Sequence, residues 1–114
     1  MNAIEFIQKY NMHDSLIYNV YIQDENQSIV IMIDFAFWMQ DEYKKSQRET
    51  GPIKVTFNKV KQYDIPKDIK WSEISILETK MDGKKIKFLL INDINDDYLE
   101  INIEAESIDV EVYD

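Results

Sequence analysis

The chain contains no cysteine, which excludes disulfides, thiolate metal ligands and a thiol nucleophile. Glycine occurs only at Gly51 and Gly83, too rarely for a Gly-rich phosphate-binding loop. Proline is confined to Pro52 and Pro66, and His13 is the single histidine. No apolar run approaches the roughly 20 residues that span a bilayer. Residues 1–10 also lack a basic segment followed by an apolar one, so neither a membrane helix nor export is expected. A reducing, cytoplasmic location is the resulting expectation. Bases are missing from the last 22 residues, 93–114, which hold nine acids.

What is present is globular. At 114 residues, with 45% hydrophobic and 31% charged residues, the chain is one domain, 1–114, with enough apolar material for a single core. Net charge is −9 and unevenly placed. Segments 1–39 and 88–114 together carry −13, with Lys9 their one base, whereas 40–87 carries +4. Phosphate backbones are bound through Lys and Arg, so nucleic acid is a poor direct partner. A basic protein fits better, because complementary fields speed encounter and reject wrong partners. The plain alternative is charge that serves solubility alone.

From Leu16 onward, every second residue is apolar in one short segment after another, the period of a half-buried strand. Before it, Asn2 with Glu5 three residues later has capping-box spacing, and Ile4 and Ile7 form a short stripe, so residues 3–10 are predicted helical. Leu16, Tyr18, Val20 and Ile22 then share one face of a strand, with Asn19, Tyr21 and Gln23 opposite. The polar break 24–27 joins it to a second strand, 28–38, as a hairpin. Gln40 to Pro52 reads as an exposed loop, closed by the breaker pair Gly51-Pro52. A third strand runs from 53 to about 60, and 61–72 is a long connection.

Segments 73–80 and 84–91 form a hairpin around Asp82-Gly83, and apolar Leu89 and Ile91 opposite Phe88 and Leu90 suggest a strand buried on both faces. After the polar turn 92–97, Leu99, Ile101, Ile103 and Ala105 are odd, whereas Ile108, Val110 and Val112 are even. A bulge or bend near Glu106-Ser107 is therefore expected. The fold class is mainly β (α+β): a curled antiparallel sheet or small β-sandwich of about seven strands with a short N-terminal helix.

Three groups of residues invite chemistry. His13-Asp14-Ser15 places an imidazole beside a carboxylate and a hydroxyl, but sequence neighbours rarely form a triad, whose members converge from separate elements. Asp and Ser where a helix gives way to a strand usually bond local amides. With Asp34, which interrupts the outer face of the second strand, they are read as a structural network, and no catalytic residue is assigned. Asp93 to Glu104 matches part of a calcium-loop count, yet Tyr98 stands where the loop needs Gly. No metal or cofactor is assigned, and the acidic turn is read as solvated. Trp38, Met39, Tyr43, Tyr63 and Trp71 flank the long connections, where such residues normally cap the core and sometimes anchor partners.

His13-Asp14-Ser15-Leu16, Asp34, and Val55-Thr56-Phe57-Asn58-Lys59-Val60 resemble a group of small bacterial proteins that includes immunity proteins of polymorphic toxin systems and uncharacterised stand-alone β domains. The resemblance implies a cytosolic protein that neutralises a cognate toxin, often a basic nuclease, without catalysis of its own. With the charge distribution, it makes a non-enzymatic protein-binding module the leading expectation, contacting a basic partner through Asp24, Glu25, Asp93, Asp96 and Asp97. The alternative is a small-ligand-binding or regulatory β domain, with a pocket lined by Tyr18, Phe35, Phe37 or Trp71, or a homodimer joined at a strand edge. A hydrolase centred on His13 ranks last.

Overall fold

Alternation sustained over eight or more residues produces strands that hydrogen-bond on both edges when enough of them curl together. In the computed structural model, which describes residues 1–113 apart from the side chain of Asn26, there are six: β1 (Leu16–Gln23), β2 (Ser28–Ala36), β3 (Thr50–Asp64), β4 (Ile74–Asp82), β5 (Lys85–Asn92) and β6 (Tyr98–Val112). Every neighbouring pair is antiparallel, and the order β1-β2-β3-β6-β5-β4 closes into a barrel. The inward residues are almost all Ile, Val, Leu and Phe, with Ile31, Ile33, Ile53, Val55, Phe57, Ile76, Phe88 and Ile101 fully buried.

The strand count is six rather than about seven, and the parity change explains why. Ala105 and Ile108 both face inward, so β6 switches phase at Glu106-Ser107 without ending. Its partner β3 makes the same jog. Phe57 pairs with Ile108 and Val60 with Ala105, and between them Lys59 adopts φ 50° beside Glu106, 3.7 Å away. Two strands that change phase together remain one ladder, and the added bend helps the sheet close.

Several boundaries differ from expectation. Gly51 and Pro52 lie inside β3, paired with Phe35 and Asp34, so the breaker pair does not end the loop; β3 also runs on to Asp64, shortening the following connection. The second strand stops at Ala36, and Phe37–Met39 is a 3-10 turn. In β1 the phase is reversed at its start: Ile17 is buried, while Leu16, Tyr18 and Ile22 are exposed, because the register against β2 shifts between Ile17 and Asn19. The tight turn comprises Gly83 and Lys84, between the paired Asp82 and Lys85, with Gly83 alone at positive φ, 62°. Leu89 and Ile91 stay only half-buried, because none of the described elements packs over the outside of β5.

The helix α1 (Ala3–Lys9) is capped as expected: Asn2 Oδ1 accepts from Glu5 N at 2.8 Å, and Glu5 Oε1 accepts from Asn2 N at 3.3 Å. It plugs one mouth of the barrel with Phe6, which is fully buried 6.3 Å from Phe88. Met1 fastens it to β6 through two hydrogen bonds with Ile108. The other mouth is crossed by residues 65–73, which connect β3 to β4 on opposite sides of the barrel. Ile65, Ile69 and Trp71 from this crossover pack against the core. Closure between β1 and β4 is narrow, consisting of the pair Leu16–Ser75 and the bonds Asp14 N to Ile76 O and Ile76 N to Ser15 O. Among the described residues, no helix is long and apolar enough to cross a membrane.

Candidate functional site

Strict antiparallel alternation sorts the connections into two sets. The β1–β2 turn, the β3–β4 crossover and the β5–β6 turn emerge at one end, and the helix, the β2–β3 loop and the β4–β5 turn at the other. Asp24 and Glu25 therefore share an end of the barrel with Asp93, Asp96 and Asp97. Between these turns the crossover carries Lys67 and Lys70 against Asp68 and Glu73, and Lys70 is committed to Glu73 at 3.3 Å. None of the ion pairs among the described residues uses the five turn carboxylates.

Side-chain amides build the turn that displays three of them. Asn92 Oδ1 accepts from Ile94 N (2.8 Å) and Asn95 N (3.3 Å), and Asn95 Oδ1 accepts from Asp97 N (2.9 Å). Asp96 sits at φ 62°, a conformation Asp tolerates better than most residues. Asp93 accepts from the Ser75 hydroxyl and is anchored to β4. Asp96 and Asp97 thus have fixed backbone and outward carboxylates. On the same turn Ile94 and Tyr98 are 74% and 76% exposed, the most exposed large apolar side chains described. Tyr98 opens β6, so a twelve-residue calcium count from Asp93 runs into strand. Asn92 and Asn95, which hold the turn, were legible in sequence only as generic polar residues; their spacing to the following amides was the available signal. The opposite acidic turn is held by backbone, with Val60 N donating to Gln27 O at 2.8 Å.

The tripeptide at the start of β1 is divided between wall and surface. Ser15 is fully buried, and its hydroxyl oxygen accepts from Ala36 N at 2.9 Å. His13 is exposed, donating from Nδ1 to Leu77 O at 2.7 Å with Nε2 3.5 Å from Asp14. A hydroxyl sealed in the barrel wall is not presented to a substrate beside that imidazole. Asp34 pairs with Leu16 on the outside of the barrel and faces Tyr18 instead. The structure thus joins Ser15 to β2, joins His13 to Asp14, and leaves Asp34 apart from both.

At the helix end a half-open cleft of about 470 Å³ lies between the end of α1 and the β2–β3 loop. Tyr10, Phe35, Phe37 and Tyr43 line it with Gln40, Asp41 and Glu42. Of the four pocket residues expected from sequence, Phe35 and Phe37 are here; Tyr18 is on the barrel exterior and Trp71 plugs the far mouth. Trp38 and Tyr63 are roughly half-exposed and do not cap the core. The loop is stapled by Arg48, whose guanidinium lies 4.9 Å from the Phe37 ring centre and donates to Tyr113 O. It passes so close to Gly51 that a Cβ there would come within 2.7 Å of it.

Three groups titrate above their ordinary ranges: half-buried Lys87, exposed Tyr18, and Tyr113, whose phenol is raised first by its hydrogen bond to Glu111. Lys87 lies 3.2 Å from Asp82 and 3.4 Å from Glu100. The Asp82 hydrogen bond leads in holding its ammonium pKa up, desolvation opposes this, and Glu100 adds to it. The Tyr18 phenol is raised by desolvation and then by the Asp34 charge. For all three, the unfolded chain releases its proton first, so their stabilising contribution is complete below the ordinary values and is lost as pH climbs through the raised ones. Melting temperature should therefore fall above about pH 10, and Lys87→Gln should flatten that fall. A melting temperature constant from about pH 9 to 11 would contradict this account.

No family model matches the chain, and no match was found among curated proteins or solved structures.

Proposed function

We propose that this barrel is a non-catalytic, cytoplasmic protein-binding module that takes a basic partner on its acidic end, in the manner of an immunity protein covering a basic toxin. The observation that carries the reading is that two acidic turns flank one mouth of the barrel, their five carboxylates in no ion pair among the described residues. Pooled carboxylates attract and orient a positive surface before contact. Ile94 and Tyr98 favour a protein over a simple ion, since exposed aromatic and aliphatic anchors inside a polar rim are what protein interfaces bury.

The test begins with the protein encoded beside this gene in its native genome, purified and measured against the barrel by stopped flow. Asp24→Asn, Glu25→Gln, Asp96→Asn and Asp97→Asn together should slow association by about tenfold or more at low salt and leave dissociation nearly unchanged. Asp93 is kept because it holds Ser75. Association of the native barrel should also slow steeply between about 0.01 and 0.15 M salt. Absence of binding at low salt, or an association rate indifferent to both salt and these substitutions, would overturn the proposal.

A further inference from the structure

We infer that the aromatic cleft at the helix end is a second binding site, for a small organic cation: an ammonium group carried on an apolar body. The cleft is held open by the chain itself. Gln40 Nε2 donates to Asn11 O at 2.7 Å and Ala36 O at 3.0 Å, and its Oε1 accepts from Asn11 N at 2.9 Å, pinning the two walls to each other. Gln40 is thus spent on structure, and recognition falls to the rings and the acids.

The rings are set nearly at right angles. Tyr10 meets Phe35 at 5.8 Å and 75°, and Phe35 meets Phe37 at 5.1 Å and 87°. Phe35 is buried behind them, so the ring surface open to the cleft belongs to the half-buried Tyr10, Phe37 and Tyr43, and aromatic faces of this kind bind alkylated ammonium groups. The chain's own cations already use these faces: Lys9 Nζ stands 5.5 Å from the Tyr10 centre, and the Arg48 guanidinium lies over Phe37. Asp41 and Glu42 are exposed at the rim and make no ion pair among the described residues. Lys9 also lines the cleft, so the lining carries two acids against one base, and with the rings this net negative charge favours a cation that displaces the Lys9 ammonium over an anion. The volume, about 470 Å³, lies within the range of small-molecule sites.

This site is remote from the acidic end, so it stands or falls independently of the protein-docking reading. The test titrates the full ¹⁵N-labelled chain with benzyltrimethylammonium chloride, and in parallel with benzyl alcohol and sodium benzoate at matched ionic strength. Saturable shifts at Asn11, the Gln40 side-chain amide and Tyr43 are expected, with half-saturation on the order of 1 mM. Benzyl alcohol should bind at least about tenfold more weakly and benzoate not measurably. The double variant Asp41→Asn, Glu42→Gln should weaken the cation about threefold or more while leaving benzyl alcohol unchanged, a selectivity that mere loosening of the loop would not produce. Equal binding of cation and alcohol, shifts confined to the 93–97 turn, no saturation, or a double variant with native cation affinity would each overturn the inference.

Discussion

Replacing Phe6 with Ala should lower the free energy of unfolding by about 3–5 kcal/mol, a large part of the roughly 5–15 kcal/mol that holds a domain of this kind. Phe6 is the only fully buried residue of α1. Its ring contacts Tyr10 at 5.6 Å and Phe88 at 6.3 Å, and Phe88 in turn meets Phe57 at 6.1 Å across the barrel. Truncation removes the transfer energy of the ring and opens a void between Tyr10 and Phe88 at the mouth. A seven-residue helix has no independent stability, so α1 should detach, and amide protection at Phe6 and Tyr10 should fall to that of an open chain. Urea denaturation and hydrogen exchange measure the two effects. Ile4→Ala, on the exposed side of the same helix, should change stability by less than about 0.5 kcal/mol. A loss below about 1 kcal/mol for Phe6→Ala would show that the helix is not part of the cooperative core.

Ser15→Ala should cost about 1–3 kcal/mol, although it removes a single oxygen. The hydroxyl is wholly buried and accepts the Ala36 N–H. Alanine leaves that amide without a partner where no water reaches it. Ser15 also lies where the barrel is closed most thinly: its carbonyl accepts from Ile76 N at 2.8 Å, and its amide donates to Met12 O at 3.0 Å. Loosening the Ser15–Ala36 bond should therefore speed exchange of the Ala36 and Ile76 amides together, since both depend on how the start of β1 is seated. If Ser15→Ala proves neutral, the serine is not what seals the wall.

These two residues illustrate what could be read in advance. The helix that carries Phe6 was visible from its capping residues; that Phe6, rather than Ile4 of the stripe, would be its buried residue was decided by packing on the barrel. Ser15 was legible as a local hydrogen-bonding residue; that its partner would be Ala36, 21 positions away, was not. The acidic turns were equally plain as composition. Their common end follows from six strands alternating in direction, which composition does not encode. The aromatic cleft was the least legible, because Tyr10 and Tyr43 belong to segments that meet only when Gln40 ties the loop to Asn11.

Local periodicity is written in the order of side chains, so alternation revealed the strands, the Ile- and Phe-rich interior, and even the phase change at Glu106-Ser107, which β6 shows without a break. Each of these follows from which face of a pleat must avoid water. Which edge pairs with which, and that the curled sheet closes into a barrel, depended on contacts between distant segments. In β1 that pairing overrode the apparent pattern, since the register shift against β2 buries Ile17 and turns Leu16 and Tyr18 outward. The energy of a strand's two faces is a property of its own residues; the energy of its two edges belongs to whichever strands the closed barrel sets beside it.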